Sequence, residues 1–276
     1  MRGTSTQAVL AVVRKNLRTA RRYPLGTVNM TLLTPLYEMA LPTVLLGAAF
    51  LVNGQASGLA RFVGSTDLAA WLADGMLVAS LTVGVMFAVS SAFASDRDSG
   101  ALEHVWGSPS RRDVFVLGAA ATAVLYSTVA NTLLILLAVG LLHARYHATA
   151  LLAVPAVAVM VVGLVGYGYL AGSAVLASRR TGALLDGVGY VLAALSGVAF
   201  PVAVLPSFFQ VAAFALPTTW GLDLLRHWGQ GTVLLAPLPA ELGALTATSL
   251  AFLALGRWAF ARTERSLHRA GTIYQH

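Results

Sequence analysis

The sequence predicts an all-α membrane protein. Six transmembrane helices are expected, with an N-terminal amphipathic interfacial helix, a short helix in a cytoplasmic loop, and a re-entrant outer element before the last span. Three observations predict this. The 276 residues are 57% hydrophobic with a mean hydropathy of +0.75, and a soluble chain of this length exposes more charge. Several apolar runs reach the roughly 20 residues that a helix needs to cross the hydrocarbon core, without the polar–apolar alternation of barrel strands. The charged residues, 11% of the chain, gather in short segments between those runs. Residues 1–276 read as one domain.

The first element is an amphipathic helix over 5–22. On a wheel of about 100° per residue, Val9, Leu10, Val12, Val13, Leu17 and Ala20 share one face, and Arg14, Lys15, Arg18, Arg21 and Arg22 the other. Such a helix lies in the membrane interface with its cations near anionic lipid headgroups. No cleavable signal peptide is expected, because the first apolar stretch follows a long basic segment and exceeds a signal h-region.

Spans are expected at Thr27–Val52, Leu68–Phe93, Val114–Leu142, Ala150–Ala177, Ala183–Val204 and Ala240–Ala261. Basic residues orient them. The N-terminal segment, Arg97 with Arg111 and Arg112, Arg179 with Arg180, and the C-terminal arginines all fall on one side. Only Arg61, Arg145 and Arg226 fall on the other. The positive-inside rule places both termini in the cytoplasm. The net charge of +7 is therefore read as a topology signal rather than a nucleic-acid surface. The absence of cysteine excludes disulfides, thiolate metal sites and thiol chemistry. Lys15 is the sole lysine beside many arginines and alanines, a composition that fits a GC-rich bacterial genome and hence a bacterial plasma membrane.

The loop after the second span concentrates the charge. In "SAFASDRDSGALEHVWGSPSRRDVF", Ser91–Phe115, Ser99 can cap a helix through Trp106, and Gly107 and Pro109 stop it. Leu102, Val105 and Trp106 share a face at spacings of three and four. This pattern fits a docking surface or a solvated loop.

Further candidates are scattered. Glu38 lies inside the first span between Pro35 and Pro42, and an intramembrane carboxylate is a functional candidate; it lines a path or interface, or is a neutralised structural glutamate. Asp74 and Asp186 fall near membrane ends. His143 and His147 have helical metal-pair spacing but no nearby third ligand, so no metal site is assigned. Gly168 and Gly172 fit close helix packing. Pro201, Pro206 and Pro217 interrupt 200–230, so two short helices re-entering the outer leaflet are expected there. Irregular backbone cannot face lipid and must pack on the spans. Trp220 and Trp228 suit the interface.

Two stretches resemble the type-2 ABC exporter permeases. That family has an acid–Arg pair, then Gly, a hydrophobe, Glu and Ser-Pro, matched by Asp96, Arg97, Gly100, Leu102, Glu103, Ser108 and Pro109. Its second motif is matched in Leu195–Arg226 by Ser196, Gly197, Phe200, Pro201, Leu205, Pro206, Leu216 and Pro217. The resemblance implies that 96–110, with Trp106, is a coupling helix seated in a cleft of a separate ATPase subunit. It implies a smaller contact near Arg179 and Arg180, and a connecting-helix role for the N-terminal helix. It also implies partnership with two ATPases and with a second copy or a homologous permease. ATP and Mg would belong to the partner, with no cofactor in this chain and no enzymatic activity of its own. A P-loop needs Gly-Lys-Ser/Thr, and Lys15 stands between Arg14 and Asn16. The implied substrate is hydrophobic or amphipathic: a drug or antibiotic first, otherwise a lipid or lipid-linked glycan. Two rivals are an ion-gradient-driven secondary transporter using Glu38 and Asp74, and an intramembrane enzyme, for which no catalytic constellation is found.

Overall fold

The structure, a computed structural model, describes residues 5–22, 25, 61–62, 64, 67–98, 113–178 and 182–270. Every regular element among them is helical. They are α1 (Ser5–Arg22), α2 (Leu68–Asp98), α3 (Asp113–Leu141), α4 (Ala153–Ala177), α5 (Gly182–Leu195), α6 (Ser207–Phe214), α7 (Pro217–Gln230) and α8 (Leu238–Ala270), with 3-10 turns at Ala148–Leu152 and Val202–Val204. The expected first span with Glu38, the loop residues Gly100, Leu102, Glu103, Trp106, Ser108 and Pro109, and Arg179 and Arg180 lie outside the described residues.

Four described stretches are long and apolar enough to cross a membrane: Leu68–Arg97, Asp113–Leu141, Ala148–Ala177 and Leu238–Ser266. They coincide with the expected second, third, fourth and sixth spans. The bent pair α6–α7 makes a fifth if it is counted as one span. The expected span Ala183–Val204 is helical only in its first part. Helix α5 stops at Leu195 after 14 residues, about 21 Å at 1.5 Å per residue, and the chain continues in a turn. The reason is local. Gly197 turns the chain at φ +85°, a conformation that favours glycine. Pro201 and Pro206 then prevent a helix from resuming at once.

The prolines break this region into two short helices, as expected. Helices α6 and α7 meet at 86°, with Pro217 at the start of α7, where its missing N–H costs nothing. Thr219 Oγ1 donates to Ala213 O at 2.6 Å and Trp220 Nε1 to Phe214 O at 2.9 Å. The last carbonyls of α6 thus find donors on α7. The 196–202 turn is largely buried against the bundle, consistent with the need to keep irregular backbone away from lipid.

Helix α2 runs through the core, burying Val78, Val85, Val89 and Phe93. Gly168 and Gly172 of α4 receive it: a Cβ on Gly172 would lie 2.9 Å from the Phe93 ring, and one on Gly168 3.1 Å from Val89. The GxxxG pair therefore serves packing within the chain. A second seam joins α4 to α8, where a Cβ on Gly166 or Gly256 would overlap the backbone of the other helix. Helix α1 packs on α3. Val12 fills the space left by Gly118, and Asn16 Nδ2 donates to Thr122 Oγ1 at 3.1 Å. Leu10 and Leu17 of the same helix remain exposed. Residues 143–147 are irregular and His143 has φ 56°, so the helical spacing of His143 and His147 is not realised.

Candidate functional site

Among the described residues, those expected to carry function fall at the two ends of the bundle. At one end, Asp96 and Arg97 stand in the last turn of α2, and Asp113 is the first residue of α3. Asp96 Oδ1 lies 3.8 Å from Lys15 Nζ of α1. Arg97 Nη1 donates to Val175 O at 3.1 Å. That carbonyl is among the last four of α4, which have no acceptor role inside the helix, and a cation is favoured there by the helix dipole. Asp113 is favoured at the start of α3 for the complementary reason. Its Oδ1 accepts from the Tyr169 hydroxyl of α4 at 3.1 Å, and its Oδ2 accepts from Arg257 Nη2 of α8 at 3.0 Å.

Beneath these polar contacts lies an aromatic cluster with one ring from each long helix. Phe93 of α2 stands 4.8 Å from Phe115 of α3 and 5.8 Å from Phe260 of α8, and Tyr169 of α4 stands 5.6 Å from Phe260. The rings are tilted or edge-on, the arrangement that their quadrupoles favour. Phe93, Tyr169 and Phe260 are all buried. Both roots of the 99–112 segment thus rest on one packed platform, and both are bonded to α4 within residues 169–175. Asp113 was not singled out in the sequence. Read along the chain, it is one of three aspartates in a charged loop, following two arginines that mark topology. Its signal was its position as the first residue of an apolar span.

At the other end stands the second motif. Ser196 Oγ donates to Leu192 O at 2.7 Å and hydrogen-bonds the Thr218 hydroxyl. Gly197 and Pro201 form the turn, Phe200 is half-buried within it, Pro206 precedes α6 and Pro217 opens α7. The turn is held by Arg226, which the charge count used only as a topology marker. Its side chain points inward and is 3% exposed. Its guanidinium donates to Gly197 O at 2.8 Å, Val198 O at 2.9 Å and Trp71 O at 3.0 Å, and lies 3.3 Å over the Trp71 ring. A planar fork of donors can serve several carbonyls at once and stack on an aromatic face. The nearby carboxylates of Asp74 and Asp223 counter its charge.

Asp74 is itself buried and accepts from Tyr146 Oη at 3.1 Å and from Gln230 Nε2. Burial, and then the Asp74 charge, hold the Tyr146 phenol well above its ordinary value, so it stays a donor. Asp223 Oδ2 accepts from Leu235 N at 3.0 Å and Glu241 Oε1 from Ala236 N at 2.9 Å, so two carboxyls bind consecutive amides of the α7–α8 turn. Thr219, Leu222 and Arg226 recur at helical spacing and are all buried. That stripe was the available sign that Arg226 faces inward.

No curated protein matches the chain. The sequence model of a family described as ABC-2 type transporter matches residues 6–228, about four-fifths of the chain. The match takes in nearly all of α1, both roots of the 99–112 segment and the whole turn held by Arg226. With its apolar helices, its bent pair α6–α7 and that match, the chain belongs to the ABC-2 type transporter family, whose members are membrane subunits of transporters.

Proposed function

We propose that the chain is the permease subunit of an ATP-driven exporter in a bacterial plasma membrane. The carrying observation is the family match over residues 6–228. In this reading, segment 96–110 is a coupling helix that docks on a separate ATPase, through Gly100, Leu102, Glu103, Trp106, Ser108 and Pro109. Arg179 and Arg180 form the smaller contact. The anchoring of Asp96, Arg97 and Asp113 supports it, because a loop that receives a push needs rooted ends. A second copy or a homologous permease completes the assembly, ATP and Mg act on the partner ATPase, and both termini are cytoplasmic. The cargo is hydrophobic or amphipathic, with a drug or antibiotic ahead of a lipid or lipid-linked glycan. Glu38 lines the path or a subunit interface.

The test is coexpression with a candidate ABC ATPase subunit, followed by copurification and reconstitution into vesicles with an amphipathic fluorescent dye. The wild type should retain the ATPase and move the dye only with ATP. Glu103→Lys and Gly100→Trp should lower ATPase binding more than tenfold, since truncating a buried interfacial charge costs about 2–5 kcal/mol and a side chain at Gly100 intrudes on a close approach. Dye movement driven by an ion gradient without ATP would favour the secondary-transporter reading. Unchanged association in both variants would reduce the segment to a solvated loop.

Orientation has its own test. The chain has no cysteine, so single cysteines report cleanly. In intact cells a membrane-impermeant thiol reagent should label Gly58→Cys and Val233→Cys but not Gly100→Cys. Labelling of Gly100→Cys from outside would invert the topology.

A further inference from the structure

We propose that Asp113 is a positioning residue that passes movement of the chain entering α3 to α4 and α8, which move as one body. The inference rests on the coupling reading above and adds the route by which a push at the loop reaches the transmembrane helices.

Three observations carry it. First, Asp113 stands at the root of α3, and its two carboxylate oxygens are divided between two helices. Oδ1 accepts from Tyr169 of α4 at 3.1 Å and Oδ2 from Arg257 of α8 at 3.0 Å. A single carboxylate with two directed bonds fixes both distance and orientation. Second, the receiving helices are locked together beside it. Arg257 follows Gly256, whose missing side chain lets α8 meet the Gly166 carbonyl of α4. Backbones in direct contact cannot slide without clashing, so α4 and α8 answer a displacement jointly. Third, the other root reaches the same helix through Arg97 and Val175 O, six residues along α4 from Tyr169. A push on either root is therefore delivered to α4, and Asp113 adds α8.

The platform below is aromatic and apolar, so it resists compression without specifying direction. The direction comes from the bonds of Asp113. Tyr169→Phe keeps the ring in its cluster with Phe260 and removes only the donor. Arg257→Ala removes only the cation, from a half-exposed site. Asp113→Asn keeps shape and weakens both bonds.

The experiment uses the full chain reconstituted with its ATPase and an amphipathic fluorescent dye, and reads three quantities: ATPase retained, ATP hydrolysed, and dye moved per ATP. All three variants should retain the ATPase and hydrolyse ATP, while dye moved per ATP falls about three- to tenfold, inside the roughly two- to thirtyfold range seen for residues that carry coupling. Asp113→Glu should recover part of the loss, and Tyr169→Phe combined with Arg257→Ala should match Asp113→Asn rather than exceed it. Gly243→Ala, whose added Cβ meets open space in α8, is the control. A residue that merely stabilises the fold would lower ATPase retained and ATP hydrolysed and leave dye moved per ATP unchanged, which would overturn the inference. A wild type that moves no dye with ATP would overturn the coupling reading and this inference with it. A working wild type whose Tyr169→Phe and Arg257→Ala variants keep full dye movement per ATP overturns this inference alone.

Discussion

Arg226→Ala should abolish the stably folded protein at ordinary growth temperature. The substitution leaves the carbonyls of Gly197, Val198 and Trp71 buried without their donor, and leaves Asp74, 1% exposed, without its countercharge. Breaking a buried charged network by removing one partner costs about 3–5 kcal/mol, a large part of the stability of an average domain. Thermal unfolding in detergent, followed by size exclusion, should show aggregated or absent protein. Arg226→Lys keeps the charge but offers a compact ammonium where three carbonyls and a ring need a planar fork. It should fold with a clearly lowered midpoint. A variant Arg226→Ala that melts like the wild type would show that the turn after α5 holds itself.

Gly256→Leu should be nearly as damaging, for a steric reason. A Cβ at Gly256 would overlap the Gly166 carbonyl and stand 3.0 Å from Tyr169 Cβ. Overpacking a core costs about 1–3 kcal/mol where side chains can shift. Here the obstruction is backbone, so the effect should reach or exceed the top of that range, and α4 and α8 should separate. Gly243→Leu on the same helix meets open space and should leave the melting midpoint unchanged. Equal midpoints for the two leucine variants would mean that the α4–α8 seam is not close-packed in the membrane.

The two effects differ in how visible they were beforehand. Glycines in apolar helices signal close packing in general, but Gly166 and Gly256 gain meaning only as a pair 90 positions apart. Arg226 lies on a short helix with an aspartate and two tryptophans nearby, and its sequence neighbourhood reads as an interface. Its three acceptors lie 28, 29 and 155 positions away, and no local pattern announces them. Asp113 is similar: its neighbours describe a charged loop, while its partners stand on α4 and α8.

The helical membrane class, four of the long spans, the amphipathic α1 and the break between α6 and α7 were legible in the chain itself. These follow from local physics. A run of about 20 apolar residues must pair its backbone groups within a helix, a 3.6-residue period sorts faces, and proline cannot continue a helix. Packing alone revealed that α5 ends at Leu195 in a turn held by Arg226, that the α4 glycines receive α2 and α8, and that Asp113 bonds two helices at once. Each of these depends on which carbonyl or ring stands within about 3–6 Å of a side chain after packing, and sequence separation carries no information about that distance.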